Sequence, residues 1–281
     1  MKTCREIADF REVIAGYRAA GESVALVPTM GYLHAGHMAL VTRARELADR
    51  VVATIFVNPT QFGQAADLEQ YPRNEAGDLQ MLDQAGVDAV LLPSVKDIYP
   101  EGDQTIVETT RLANMLHGLV RPGHFRGVTT VVARLFNIAT PDVAVFGEKD
   151  YQQLQVIRAM VRDLHFPVAI AAVPTVREAD GLAMSSRNAR LDPEDRAAAT
   201  VLSRALSEAE VAVRDRPTAS QLEDRIRAVV GACPRASDLA VDIVRAESLA
   251  PIEARIDGPA AIMLSARFGD VLLIDQRVVT P

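Results

Sequence analysis

Residues 27–38 read VPTMGYLHAGHM, between an apolar run, SVALVP (23–28), and a helical pattern, ALVTRARELAD (39–49). A buried strand that passes through a glycine-bearing turn into a helix is the opening of a βαβ unit. The glycines, Gly31 and Gly36, have the G-x-x-x-x-G spacing of a phosphate-binding P-loop. A P-loop continues with Lys and then Ser/Thr, which serve the β/γ-phosphates and the magnesium. Here the next residues are His37 and Met38, and His34 lies one turn earlier.

The alternation continues outward. RVVATIFVNP (50–59), VDAVLLP (87–93), PDVAVFG (141–147) and VAIAAVP (168–174) read as strands, separated by helical NEAGDLQMLDQAG (74–86), GVTTVVARLFNIAT (127–140) and DYQQLQVIRAMVRDLH (150–165). Short Val/Ile/Ala-rich runs between helices predict a parallel sheet buried on both faces. Right-handed crossovers make it a doubly wound α/β domain, with its ligand site at the carboxyl ends of the strands. Residues 1–21 read as an amphipathic helix of the same fold.

Near Asn188 the pattern changes. Asp192-Pro193 is an N-cap with Pro at N1 and opens a helix over 192–215, followed by a second over 218–232. LAVDIVRAES (239–248), AAIMLSARF (260–268) and DVLLIDQRVV (270–279) then read as an antiparallel sheet. The expected division is a domain over 1–187 and a smaller α+β C-terminal domain over 188–281 that closes over the site.

The chain has 281 residues, 49% hydrophobic and 24% charged, an ordinary balance for a globular protein with a full-sized core. Its net charge of −7 argues against a nucleic-acid surface, while leaving room for an anionic small molecule where cations gather locally. Apolar runs fall short of the ~20 residues of a membrane helix, and the N-terminus lacks a signal peptide's apolar stretch. Cys4 and Cys233 have no metal-ligand spacing and read as reduced thiols, so a cytoplasmic protein is expected.

Each unusual polar motif follows a strand: HAGH (34–37), NPTQFG (58–63), GEKDYQQ (147–153) and READGLAMSSRN (177–188). Their convergence on one rim is the predicted active site. Zinc on His34 and His37 would need a third ligand, and no nearby Cys, carboxylate or other His supplies one. A helix N-terminus with two imidazoles suits phosphate, since an imidazole N–H there bonds an oxygen more strongly as charge builds. Lys149 reads either as a solvated charge or as a phosphate clamp. Ser185, Ser186 and the Arg187 fork read either as a capped turn or as a triphosphate loop. RPGHFRG (121–127) is the densest basic cluster, a surface loop or a support for the site. Gln61 and Gln153 are neutral amides suited to a hydroxylated or carbonyl-bearing substrate. Together these features describe ATP-dependent adenylyl transfer at the α-phosphate, with pyrophosphate leaving.

VPTMGYLHAGH, IFVNPTQFG, YPR, RPGHFRGV, FGEKDYQQL and DGLAMSSRN, in this order, resemble the pantothenate synthetase (pantoate–β-alanine ligase) family over most of residues 24–190. The resemblance implies a Rossmann-like sheet of the nucleotidyltransferase type, a cytoplasmic homodimer and a two-step reaction. Pantoate and ATP, with Mg2+, would give pantoyl adenylate and pyrophosphate, and β-alanine would then release AMP and form pantothenate. It implies that His34 and His37 bind ATP phosphates, with His37 the proton donor, and that Lys149 and Arg187 act with them. Met30, Gly31, Tyr32, Leu33, Ala35 and Gly36 would line the nucleotide site. Gly147, Glu148, Asp150, Val176, Met184, Ser185 and Ser186 would complete it. Gln61 and Gln153 would hold pantoate, with Gln61 also near β-alanine and Asn58 in the same pocket. Two positions depart from relatives: Gly77–Asp78 stands where some carry adjacent acidic residues, a magnesium-holding feature, so that with Asp78 alone ATP itself is expected to hold most of the metal, and His117 stands where several have Glu.

Three other readings use the same motifs. A nucleotidyltransferase that adenylylates a phosphate ester shares the histidine pair, but the neutral Gln61/Gln153 pair and the extra domain favour the ligase. A class I aminoacyl-tRNA synthetase would carry an anticodon-binding part, and none is evident. A non-catalytic ATP-binding regulator would not need His37, Lys149 and Arg187 together.

Overall fold

The computed structural model describes residues 1–63 and 65–281. In chain order the elements are β1 (Lys2–Cys4), α1 (Ile7–Ala19), β2 (Val24–Thr29), α2 (Ala35–Leu47), β3 (Arg50–Ile55), α3 (Ala65–Glu69), α4 (Glu75–Gln84) and β4 (Ala89–Leu91). There follow α5 (Val95–Ile98), α6 (His117–Val120), α7 (His124–Ala139), β5 (Val143–Gly147), α8 (Tyr151–Asp163) and β6 (Ala169–Val173). The remainder comprises α9 (Pro193–Ala198), α10 (Val201–Ala212), α11 (Ala219–Gly231), β7 (Ala236–Arg245), β8 (Ala260–Phe268) and β9 (Val271–Val279). None of the described helices is long and apolar enough to cross a membrane.

Two compact units emerge: Met1–Gly147 with Gln152–Val173, and Glu148–Tyr151 with Pro174–Pro281. The sequence placed residues 174–187 in the first domain; by its contacts this segment belongs to the second unit. There Arg177 forms a two-pronged ion pair with the buried Asp275 of β9, at 2.7 and 2.9 Å.

The first unit is the expected Rossmann-like sheet, parallel throughout, in the order β1-β4-β3-β2-β5-β6. Residues alternate between two cores, as a strand buried on both faces requires. Val24 and Leu26 of β2 pack with Phe10 and Ile14 of α1, Val128 and Leu135 of α7, and Leu154 and Ile157 of α8. Ala25 and Val27 pack on the other side with Val41 and Ala44 of α2 and Leu82 of α4. The chain winds outward from β2 through β3 to β4 and then returns to β5 on β2's other side. The carboxyl ends of β2 and β5 therefore flank the switch point, where such folds bind ligands.

The N-terminus differs from the single helix expected of it. Lys2, Thr3 and Cys4 pair with Ala89, Val90 and Leu91, adding a strand beside β4. Three residues are too few to show a period of two, and only the open edge of β4 makes them a strand. Cys4 is buried there, and desolvation pushes its thiol up from the ordinary range, so it is a packed apolar group and not a nucleophile.

In the second unit β7, β8 and β9 form an antiparallel sheet, and Ile262, Leu264 and Phe268 of β8 pack with Leu202 and Leu206 of α10 and Leu222 and Ile226 of α11. The helix expected over 192–215 is interrupted. Leu202 N–H donates to Ala199 O, three residues back, while the Thr200 hydroxyl bonds Ala197 O. That tightening separates α9 from α10.

Phe10 is fully buried among α7 and sheet residues. Phe10→Ala is expected to cost about 3–5 kcal/mol, read as a lower urea midpoint for the first unit; a midpoint near the wild type would contradict the packing of α1.

Candidate active site

The turn after β2 is built by side chains, each tied to a strand or helix already in place. The Thr29 hydroxyl donates to Thr54 O of β3 at 2.7 Å and accepts from Gly31 N–H at 3.2 Å. Gly31 and Tyr32 then take left-handed backbone, with φ of +79° and +51°. A β-carbon at Gly31 would lie 2.9 Å from Asp78 Oδ2, so the position needs glycine for both conformation and space. Asp78 of α4 accepts Tyr32 N–H and Leu33 N–H on its two oxygens, at 2.8 and 2.7 Å.

His34 is the N-cap of α2, and its Nδ1 accepts Gly36 N–H at 3.1 Å. His37, at N3, accepts His34 N–H on its own Nδ1 at 3.3 Å, which closes a capping box made of two imidazoles. The rings lie 4.1 Å apart between centroids. A nitrogen that accepts carries no proton, so each neutral ring holds its proton on Nε2. Protonation at Nδ1 would break the cap. Gly31, Tyr32, Leu33 and His34 all spend their N–H groups inside the turn. Unlike a P-loop, the turn spends these amides internally, and it sets two imidazoles at the positive end of a 13-residue helix.

The motif after β3 lies against that turn. Gln61 donates from Nε2 to Met30 Sδ at 3.2 Å. Its Oε1 accepts from Asn58 Nδ2 at 2.9 Å, so its amide orientation is fixed with the donor end toward Met30. Asn58 is fully engaged: Nδ2 also donates to Gly127 O, and Oδ1 accepts from the Thr60 hydroxyl and from Tyr99 Oη at 2.7 Å. The structure therefore makes Asn58 a holder of Gln61 and leaves it no polar atom for a substrate. Tyr99 is itself held by burial, which raises its phenol above the ordinary range.

RPGHFRG proves to be the support for this platform. A β-carbon on Gly127 of α7 would come within 2.6–2.8 Å of Thr60 O, Thr60 C and Gln61 N, and the His124 ring meets Gln61 O through Nδ1 at 2.8 Å. Gln153 is half-buried in the first turn of α8. Its neighbour Gln152 is buried and ties down the segment before α6, donating to Leu112 O and Met115 O and accepting from His117 N–H. Sequence reading missed Tyr99, Thr29 and Gln152. Nothing local marks the first two, and the only signal for Gln152 was the doubled glutamine in DYQQ.

In the second unit Lys149 lies 3.5 Å from Asp150 Oδ2, and Gly147, which ends β5, leads into this 3-10 turn from the first unit. Residues 176–184 fold back on themselves, Met184 N–H donating to Val176 O and Arg177 bridging Ala183. The acidic groups of this loop are occupied. Arg196 of α9 donates to Glu178 and Asp180, which holds both carboxyls below their ordinary range. Ser185 caps the next turn through Arg187 N–H at 3.2 Å. Ser185 only accepts in that bond and keeps its own O–H donor, and Ser186 and the Arg187 guanidinium follow it in the same turn. Among the described residues no group of three or more His, Cys, Asp or Glu could hold a metal.

A parallel sheet with its switch point beside β2 and imidazole donors on the first crossover helix defines a Rossmann-like α/β protein. The profile described as pantoate-beta-alanine ligase matches residues 2–278, and the chain belongs to that family. It is 50% identical to the pantothenate synthetase of Sinorhizobium medicae over 282 aligned residues, covering 100% of this chain and 97% of the relative. The crystal structure of pantothenate synthetase from Thermus thermophilus superposes with a TM-score of 0.92, at 46% identity and full coverage of both chains. A pantoate-beta-alanine ligase from Francisella tularensis, complexed with "Beta-gamma ATP and Beta-alanine", is similar at a TM-score of 0.80 and 32% identity, covering 99% of this chain and 97% of that one.

Gly127→Ala is expected to destabilise the first unit by about 1–3 kcal/mol through overpacking, measurable by urea unfolding; an unchanged midpoint would mean that α7 and the Asn58–Gln61 turn do not meet so closely. Arg196 contributes through carboxylates whose pKa is depressed, so its stabilisation is complete above their ordinary values of 4.5 and 3.8 and fades as pH falls through the depressed ones. The thermal-midpoint gap between wild type and Arg196→Ala should be full at neutral pH and should shrink in the acid range; a gap independent of pH would contradict the pairing.

Proposed function

We propose that this chain joins pantoate to β-alanine at the expense of ATP, forming pantothenate, AMP and pyrophosphate. The observation that carries the reading is the family match across residues 2–278, and the Francisella relative complexed with "Beta-gamma ATP and Beta-alanine" supports it. A pantoate carboxylate oxygen attacks the α-phosphorus, the bond to the β-phosphate oxygen breaks and pyrophosphate leaves. The amine of β-alanine then attacks the carbonyl carbon of pantoyl adenylate; the bond to AMP breaks and the amine gives up a proton.

The Nε2–H groups of His34 and His37 donate to phosphate oxygens, strengthening as charge develops toward pyrophosphate. With Nδ1 committed to the cap, His37 serves as a neutral donor. Lys149 and Arg187 supply cationic charge for the phosphates, and Ser185 and Ser186 belong to the same nucleotide set. Gln61 presents an amide N–H for pantoate, oriented by Asn58, and Gln153 is assigned to the same substrate. Mg2+ enters as part of the ATP substrate, where it offsets phosphate charge. The resemblance extends the proposal to a cytoplasmic homodimer.

The test is ATP–pyrophosphate exchange with magnesium and pantoate but without β-alanine. Exchange that requires pantoate and falls at least ~10²-fold in His37→Ala is expected, the scale of losing a transition-state donor. Pantothenate formation without such exchange would refute the adenylate intermediate, and exchange driven by a phosphate ester would move the assignment to a nucleotidyltransferase.

A further inference from the structure

We propose that Asp78 is the positioning residue of the histidine-bearing turn, acting through the backbone of Tyr32 and Leu33, and that it is not a magnesium ligand. The inference rests on the assignment of His34 and His37 to ATP.

Asp78 lies in α4, remote in sequence from the turn, and is 2% exposed. Its two oxygens accept two successive N–H groups at 2.8 and 2.7 Å. Those bonds hold Tyr32 in left-handed backbone, which a non-glycine residue adopts only where its surroundings over-determine it. The residue after Leu33 is His34, the cap, so the clamp fixes where α2 begins and hence where both Nε2–H groups lie. The helix bearing the carboxylate is itself anchored, since Asn74 caps α4 through Gly77 N–H at 3.3 Å. Gly31, whose β-carbon would strike Asp78 Oδ2, leaves the space in which the carboxylate sits.

Magnesium holding fits these observations badly. Mg2+ keeps several of its waters and needs an accessible carboxylate. Asp78 is enclosed and has both oxygens committed, Gly77 beside it has no side chain to offer, and Asn74 is spent on the cap. The lone carboxylate that remains at this position therefore has a mechanical task, one that a second acidic neighbour would not be needed to perform.

Asp78→Asn keeps the shape but offers one acceptor where two donors must be met, and its amide N–H₂ faces a backbone N–H. The experiment measures pantothenate formation by Asp78→Asn, Asp78→Glu and wild type across magnesium and substrate concentrations, with His37→Ala alongside. The expected result is a kcat at least tenfold lower in Asp78→Asn, with unchanged KM for β-alanine, an unchanged half-saturating magnesium concentration, and partial recovery in Asp78→Glu. Turnover within twofold of wild type would overturn the proposal, and so would activity restored by excess magnesium. Should Asp78→Asn fail to fold, amide exchange on the ligand-free wild type decides: Tyr32 and Leu33 amides are expected to be protected, and free exchange of both would overturn the clamp. Full activity in His37→Ala would instead refute the assignment of the histidines to ATP, without touching the protection of these amides.

Discussion

Everything about this site depends on β2 being buried on both faces. Val24, Ala25, Leu26 and Val27 have no solvent exposure, so the strand cannot shift by a residue without exchanging one core for the other. Its end is therefore fixed, and the turn that follows starts from a defined point at the switch between β3 and β5. The Thr29 hydroxyl, bonded to β3, carries that precision into the first amide of the turn.

From there the turn is determined by bonds that consume its own donors. A P-loop leaves its amides for phosphate, and this turn gives them to Thr29, Asp78 and His37. The consequence is a turn whose successive amides from Gly31 to His34 are internally bonded, with two imidazoles whose tautomer the same bonds impose. The platform after β3 repeats the device. Asn58 sets the Gln61 amide with one bond and is itself held by Gly127, Thr60 and Tyr99, while His124 holds the turn that bears Gln61. In both places the candidate side chains are positioned by a buried polar neighbour, Asp78 or Asn58, which is how packing fixes a group to within a fraction of an ångström.

The second unit shows the same economy in its loop. Glu178 and Asp180 are claimed by Arg196, and Arg177 by Asp275, so the charges that precede the Ser185–Ser186–Arg187 run are already paired. Two acidic side chains in a loop expected to meet a polyanion look out of place in the sequence, and the ion pairs explain their presence.

The sequence alone settled the parallel sheet, because runs such as VVATIF and VDAVLL can be buried only on both faces, and it located HAGH, NPTQFG and GEKD just after β2, β3 and β5, whereas MSSRN lies eleven residues beyond β6, in the second unit. The start of α2 at the histidine pair and the capping role of Asp192 are local and were equally legible. Tertiary structure decided the rest. Lys2–Cys4 becomes a strand only because β4 offers an edge, and residues 174–187 join the second unit through partners distant in sequence, Asp275 for Arg177, Gln276 for Thr175 and Arg196 for Glu178 and Asp180. Nothing in the sequence marks Asp78 as a clamp, since its partners are backbone amides 45 and 46 residues away, and amides leave no signature in side-chain spelling. A sequence records which side chains exist and how they repeat, whereas the partner of a buried polar group is chosen by the packing that excludes water from it.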